Sequence, residues 1–241
     1  MNSTLISVVT PCYNEKENIE EIYQSVKAVF DILDGYTYEH IFIDNASSDG
    51  TVAILKEIAA KDKNVKIIIN TRNFGHIRSP YHAMMQAKGD AVILIVSDLQ
   101  DPPEMILDFI SKWKEGNKLV IGVKSHSDEF FVIFCIRKFY YYLINKLSDT
   151  ELVKNFTGFG LYDREVINTL KKINDSYPYL RGLVSELGYE PAKIEYRQPL
   201  RKRGLTKNNF YTLYDMAMLG FTNHSKVPLR LATFTGFLVS F

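Results

Sequence analysis

Cysteine is nearly absent. Cys12 and Cys135 stand far apart, in no CxxC or Cys/His cluster, which argues against a disulfide framework or a zinc site and makes a reducing compartment the default. An excess of one charge is missing as well: 29 Lys+Arg against 28 Asp+Glu leave a formal net charge of +1. Nucleic-acid binders normally carry a strong basic surplus, so no nucleic-acid partner is expected. Met1 to Val9 has no basic region ahead of a continuous apolar run, so no signal peptide is expected. No internal repeat, low-complexity stretch or linker interrupts the chain.

Long apolar runs are lacking too. A spanning helix needs about 20 residues, whereas the tail after Lys226, Pro228 and Arg230 reads LATFTGFLVSF, eleven residues without charge. That tail reads as the start of a transmembrane helix that this sequence leaves incomplete. The other reading is a buried C-terminal helix or strand.

What is present is a substantial apolar content. With 46% hydrophobic residues in 241, the chain can bury a large core, and roughly 200–250 residues still fit one α/β domain. The first half alternates strand and helix patterns, which predicts a mostly parallel sheet. Strands are expected at Leu5 to Thr10, His40 to Asp44, Val65 to Ile69, Ala91 to Val96 and Leu119 to Val123. Ile19, Ile22, Val26, Val29 and Leu33 recur at helical spacing, with Asn14 and Glu17 as a capping pair. Further helices are expected over Thr51 to Ala60, Ser79 to Ala87 and Pro103 to Lys114.

The second half differs. Phe130 to Leu147 is aromatic nearly all round, as in a segment that is buried or lies against a membrane. Phe159 to Tyr162 and Ala192 to Arg197 read as strands, Arg164 to Lys172 as a helix that Asp163 caps. The segment from Asn208 to Phe221 reads as a helix of mixed face, lying in a membrane interface or packed on the domain.

Four polar motifs fall at the expected carboxyl ends of strands, where open α/β sheets bind ligands. They are Pro11-Cys12-Tyr13-Asn14-Glu15, Asp44 to Thr51 (DNASSDGT), Thr71-Arg72-Asn73-Phe74-Gly75, and Ser97 to Pro103 (SDLQDPP). Each alone would be a turn with a helix cap, but four in register suggest a shared pocket. Asp44, ending an apolar strand, is expected to present a carboxylate to a base or ribose hydroxyl, whereas Asp49 suits capping. Asp98 and Gln100 form the candidate metal site, since a leaving diphosphate needs its charge neutralised by Mg²⁺ or Mn²⁺ on oxygen ligands. Asp101 is expected to cap the helix that begins at Pro102 or Pro103.

Together these motifs resemble family 2 glycosyltransferases of GT-A fold, within them the dolichol-phosphate-mannose-synthase-like and bactoprenol glucosyltransferase group. Arg181-Gly182-Leu183, the run from Arg201 to Lys207 (RKRGLTK) and the run from Ser225 to Arg230 extend the likeness over nearly the whole chain. The resemblance implies an inverting transfer from a UDP- or GDP-linked sugar to a membrane polyprenyl phosphate. It implies that Pro11, Tyr13, Glu15, Asp44 and Arg72 line the nucleotide-sugar pocket with Asp98. Asp98 and Gln100 would hold Mg²⁺ or Mn²⁺ and the diphosphate, and Arg201 and Lys207 the phosphates of donor or lipid. Residues 1–207 would form the GT-A domain, 208–226 an amphipathic juxtamembrane helix, and 227–241 the start of a membrane span. Arg197, Arg201, Lys202, Arg203, Lys207, Lys226 and Arg230 gather before the apolar tail, as positive-inside topology expects. The expected place is therefore the cytoplasmic face of a membrane, with anchoring segments beyond this chain and possible homo-oligomers.

Three positions depart from that pattern. Val96 stands where the group has Asp, and Gly158 and Gly160 stand where it has an acid and an Arg. A phosphate monoester is largely dianionic at pH 7 and has no proton to surrender, so losing a base suits a phosphate acceptor better than a sugar hydroxyl. The alternatives are transfer to a saccharide or lipid-linked glycan and, in another class, a catalytically silent binding protein.

Overall fold

The computed structural model describes residues 3–126, 153–173, 175, 177–199, 203, 214, 215, 218, 222 and 227–240. The expected aromatic segment Phe130 to Leu147, Arg201, Lys207 and most of 208–226 lie outside the described residues. The chain forms two compact units. The first comprises Met1–His126, Asn155–Pro178 and Tyr189–Leu205, the second Ser127–Lys154, Tyr179–Gly188 and Thr206–Phe241. The sequence pattern drew no boundary inside the first 207 residues, yet two inner stretches belong to the second unit.

The first unit carries the sheet: β1 (Thr4–Cys12), β2 (Tyr36–Asp44), β3 (Val65–Ile69), β4 (Ala91–Leu94), β5 (Leu119–His126), β6 (Phe156–Asp163) and β7 (Ala192–Arg197). They lie in the order β3-β2-β1-β4-β6-β5-β7. The first four are parallel, β6 runs antiparallel to both neighbours, and β7 pairs parallel with β5. From β1 the chain winds outward to β2 and β3, then returns to lay β4 on the other side of β1. That reversal leaves a crevice at the carboxyl ends of β1 and β4, the switch point where such sheets take ligands.

Helices α1 (Ile19–Asp31), α2 (Thr51–Lys61), α3 (Gly75–Gln86), α4 (Met105–Lys114) and α5 (Arg164–Ile173) flank the sheet. α1 buries Ile19, Ile22, Tyr23, Val26, Val29 and Phe30, the stripe expected from its spacing. α3 starts a turn before the expected Ser79 and carries Pro80 inside it. Proline favours a first turn, but Pro80 sits one turn into α3 with its ring buried. Between sheet and α4, Phe159 meets Phe109 edge-on at 4.8 Å and Tyr196 at 5.5 Å. Such pairs add roughly 0.5–1.5 kcal/mol beyond area burial.

The second unit contains α6 (Leu180–Glu186) and α7 (Val227–Val239) among its described residues. On α7, Phe234, Phe237, Leu238 and Val239 are exposed. Among the described residues no helix is long and apolar enough to cross a membrane.

His40 on β2 is completely buried against Phe42, with Nε2 2.9 Å from the Thr10 hydroxyl. Its Nδ1 meets no partner among the described residues, and burial holds the imidazole down to about 3. An unfolded histidine protonates near pH 6.5, so between pH 6.5 and 3 the unfolded chain binds the extra proton. His40 therefore contributes fully above pH 6.5. Its contribution falls by about 1.4 kcal/mol per pH unit as the pH drops through that window. His40→Gln is expected to flatten urea-unfolding free energy between pH 6.5 and 4.5 by that slope. Parallel slopes in variant and wild type would contradict it.

Candidate active site

The crevice is built from loops that hold one another. β1 ends in the Pro11–Glu15 run, where Asn14 adopts φ 53°. The Asn14 amide donates to Ser47 Oγ at 2.8 Å, and Ser48 returns a backbone bond to Asn14 Oδ1 at 2.8 Å. The Glu15 amide donates to Thr51 Oγ1 at 3.0 Å and the Lys16 amide to Asp49 Oδ2 at 3.2 Å. Asn14 is thus not the cap of α1. Its side chain is spent on the next loop, and the cap position is Asn18, which makes no side-chain capping bond. Asn18 Nδ2 instead donates to Glu15 Oε2 at 2.6 Å, and both residues are buried. A cleft of about 150 Å³ lies here, lined by Asn14 to Asn18 and Asp49. Arg203, in the basic run from Arg201 to Lys207, reaches the same edge: Nη1 donates to the Glu17 carbonyl at 2.9 Å and lies 3.4 Å from the Glu21 carboxylate.

Asp44 departs from expectation. It is fully buried, its Oδ2 accepting the Ser47 amide at 2.9 Å and its Oδ1 lying 4.0 Å from Cys12 Sγ. The carboxylate holds the turn after β2 rather than opening into the crevice, because Ala46, at φ 64°, folds the chain back over it. The cap position of α2 is Gly50 rather than Asp49, which lies one residue earlier and accepts from the Thr51 amide and hydroxyl at 3.0 and 2.5 Å.

Asn45, beside it, went unnoticed in the sequence. Its Nδ2 donates to Asn73 Oδ1 at 2.7 Å and to the Gly75 carbonyl at 3.3 Å. Its Oδ1 accepts from Asn70 Nδ2 at 3.1 Å and from the Phe74 amide at 2.9 Å. One buried amide therefore fixes the Thr71–Gly75 turn that carries Arg72. Arg72 is exposed, its guanidinium 4.2 Å above the Phe74 ring. Pro11 and Tyr13 are half-buried at the end of β1.

Beyond β4 the chain turns sharply. Leu99 takes φ 59°, and the Gln100 amide donates to Asp98 Oδ1 at 3.1 Å. Asp98 and Gln100 are half-buried. Asp101 is buried and does not cap α4, whose first amide, on Met105, bonds the Pro102 carbonyl. Asp101 accepts the Tyr196 hydroxyl at 2.8 Å, and its other oxygen lies 3.4 Å from the Val96 amide. Burial pushes its carboxyl up to about 6, and burial likewise raises the Tyr196 phenol. Among the described residues no group of three or more His, Cys, Asp or Glu could hold a metal. The oxygen donors Asp98 and Gln100 fit a hard divalent ion that takes its remaining ligands from phosphate and water.

The β4–β6 ladder ends at the Leu94–Gly160 pair, so Val96 and Gly158 both lie just beyond it. Gly158 has φ 105°, and its carbonyl accepts the Tyr162 hydroxyl at 2.6 Å. Asp163 caps α5 as expected, accepting the Glu165 amide at 2.9 Å, and also takes the Trp113 indole N–H at 2.7 Å.

A mixed seven-stranded sheet whose strand order reverses beside β1, with an acid-bearing loop at that point and polar loops laced beside it, defines an α/β protein with a ligand site at its switch point. Residues 7–171 match glycosyl transferase family 2. The chain is 37% identical over 235 residues to the uncharacterized glycosyltransferase YkcC of Bacillus subtilis, covering 97% of this chain and 72% of that protein. It is 34% identical over 236 residues to the bactoprenol glucosyl transferase of Shigella phage SfV, covering 98% and 76%. In structure it is similar to glucosyl-3-phosphoglycerate synthase from Mycobacterium tuberculosis, solved with Mn²⁺, UDP-glucose and phosphoglyceric acid. The TM-score is 0.56 at 18% identity, covering 89% of this chain and 76% of that one. The chain belongs to glycosyl transferase family 2, and it is a glycosyltransferase of GT-A type.

Proposed function

We propose that this glycosyltransferase moves a sugar from a UDP- or GDP-linked donor to a membrane polyprenyl phosphate with inversion at the anomeric carbon. The observation that carries this reading is the loop holding Asp98 and Gln100 at the switch point, beside the Pro11–Glu15 loop. The lipid acceptor is supported by likeness to a bactoprenol glucosyl transferase over 98% of the chain and by the missing side chain at Gly158. Pro11, Tyr13, Glu15 and Arg72 line the donor side, while Asp44 supports the pocket from beneath through the Ser47 turn. Asp98 and Gln100 would hold Mg²⁺ or Mn²⁺, whose charge would offset that of the diphosphate.

An acceptor phosphate oxygen forms the new bond to the anomeric carbon. The opposite carbon–oxygen bond breaks, and its electron pair leaves with the nucleoside diphosphate. A dianionic phosphate needs no base in this step. Arg201 and Lys207 orient the acceptor phosphate. The exposed Phe234, Phe237, Leu238 and Val239 of α7 support association with the cytoplasmic membrane face.

The test is a panel of UDP- and GDP-sugars with Mn²⁺ or Mg²⁺ and a short polyprenyl phosphate in detergent, scored by nucleoside diphosphate release. Release that requires the lipid phosphate is expected. Release driven equally by free saccharides, or none from folded protein, would refute the acceptor assignment.

A further inference from the structure

Tyr196 lies on β7, the edge strand, which β6 and β5 separate from β4 in the sheet. It nevertheless reaches the loop that follows β4. Its hydroxyl donates to Asp101 Oδ1 at 2.8 Å, while Asp101 Oδ2 faces the Val96 amide at 3.4 Å. Asp101 thus closes the 96–101 loop on itself, and Tyr196 ties the closed loop to the far side of the sheet.

Three observations make this more than packing. The loop is strained, for Leu99 is a buried non-glycine residue at φ 59°. Such a conformation persists only when its surroundings hold it. The tyrosine ring is itself confined, edge-on to Phe159, with Gly122 beneath the pair. A Cβ on Gly122 would come within 2.8 Å of the Phe159 ring and 3.2 Å of the Tyr196 ring. Finally, a carboxylate only 3% exposed is costly to bury, and phenylalanine would fill the same ring space. The hydroxyl donates to Asp101, and Asp101 in turn faces the Val96 amide of the loop.

We propose that Tyr196 is a positioning residue for the transfer: through Asp101 it sets the place of Asp98 and Gln100. This rests on the reading that Asp98 and Gln100 hold the ion and diphosphate. Without the hydroxyl, Asp101 loses its 2.8 Å hydrogen bond and keeps the longer one to the Val96 amide, the loop slackens, and the two ligating groups lose their common aim. Partners outside a metal's ligands commonly change affinity by about 10–100-fold.

The experiment measures free Mn²⁺ by electron paramagnetic resonance during titration of the full chain with saturating UDP, and in a parallel series with GDP. Wild type is compared with Tyr196→Phe, Asp101→Asn, the double variant and Asp98→Ala. Tyr196→Phe is expected to weaken Mn²⁺ binding about tenfold while its circular dichroism spectrum stays that of wild type. Asp101→Asn should do the same, and the double variant should lose no more than the worse single one, as residues acting through one link do. Wild-type affinity in Tyr196→Phe, with binding abolished in Asp98→Ala, would overturn the positioning role and leave the metal assignment standing. Wild-type affinity in Asp98→Ala would overturn the metal assignment and this inference with it. Additive losses in the double variant would also overturn it, because the tyrosine would then act by another route.

Discussion

Asp98→Ala is expected to abolish metal-dependent turnover, lowering it at least about 100-fold, while the protein stays folded. The magnitude follows from the task of the group. A preorganised charge at a leaving diphosphate acts where the transition state gains negative charge, and losing one such group typically costs about 10²–10³ in rate. The fold should tolerate the change because Asp98 is half-buried, and the bond it accepts from the Gln100 amide is an ordinary one at 3.1 Å. Such a bond contributes about 1 kcal/mol. Turnover is read as nucleoside diphosphate released against Mn²⁺ concentration, and folding by thermal melting. Wild-type turnover in a folded variant would rule out the metal role.

Gly160→Ala should have the largest effect on stability. A Cβ at Gly160 would lie 2.4 Å from the Val120 carbonyl oxygen and 3.1 Å from the Ile121 Cα, both backbone atoms of β5. No side chain can turn aside, so the strands must part. Overpacking of that kind costs about 3 kcal/mol. In a domain of this size that lowers the melting temperature by roughly 6–12 °C. Gly50→Ala is the control, since Gly50 has φ 97° but nothing within 4 Å of an added Cβ. It should cost only the backbone strain, about 1 kcal/mol. Equal melting shifts would show that strand approach is not what fixes Gly160. The resemblance placed an Arg at this position, and the close approach of β5 explains its absence without reference to catalysis.

Much of the frame was legible in the residues. Val/Ile-rich runs such as Ala91–Leu94 are buried throughout, as strands covered on both faces must be. The stripe of α1 and the cap at Asp163 follow from local spacing alone. The expected strands at His40 and Phe159 were right in kind and too short, because outer residues such as Tyr36 and Thr37 on β2 and Phe156 on β6 are held by ladder partners. The antiparallel course of β6 leaves no local mark, because strand direction depends on a connection, here through residues 127–152, and not on side chains.

The site was legible as a set of loops but not as a set of contacts. Local rules made Asn14, Asp44 and Asp101 a cap, an open acceptor and a cap. Each instead serves another segment: Asn14 the Ser47 loop, Asp44 the turn above it, Asp101 the Tyr196 hydroxyl. A short polar side chain at a strand end has several partners within reach, and only the packed chain selects among them. Asn45 and Tyr196 carried no signal at all, because their partners lie at least 25 residues away.

The sequence by itself determined the order of strands and helices, the burial of their apolar faces and the family to which the chain belongs. Those depend on side-chain period and on short motifs, which are properties of neighbouring residues. Only the tertiary structure decided that β6 runs antiparallel beside β4, that Gly160 admits no side chain, and that Asp101 answers to Tyr196. Each of these depends on which strand lies beside which, and that is set by the summed burial of the whole sheet rather than by any residue in it.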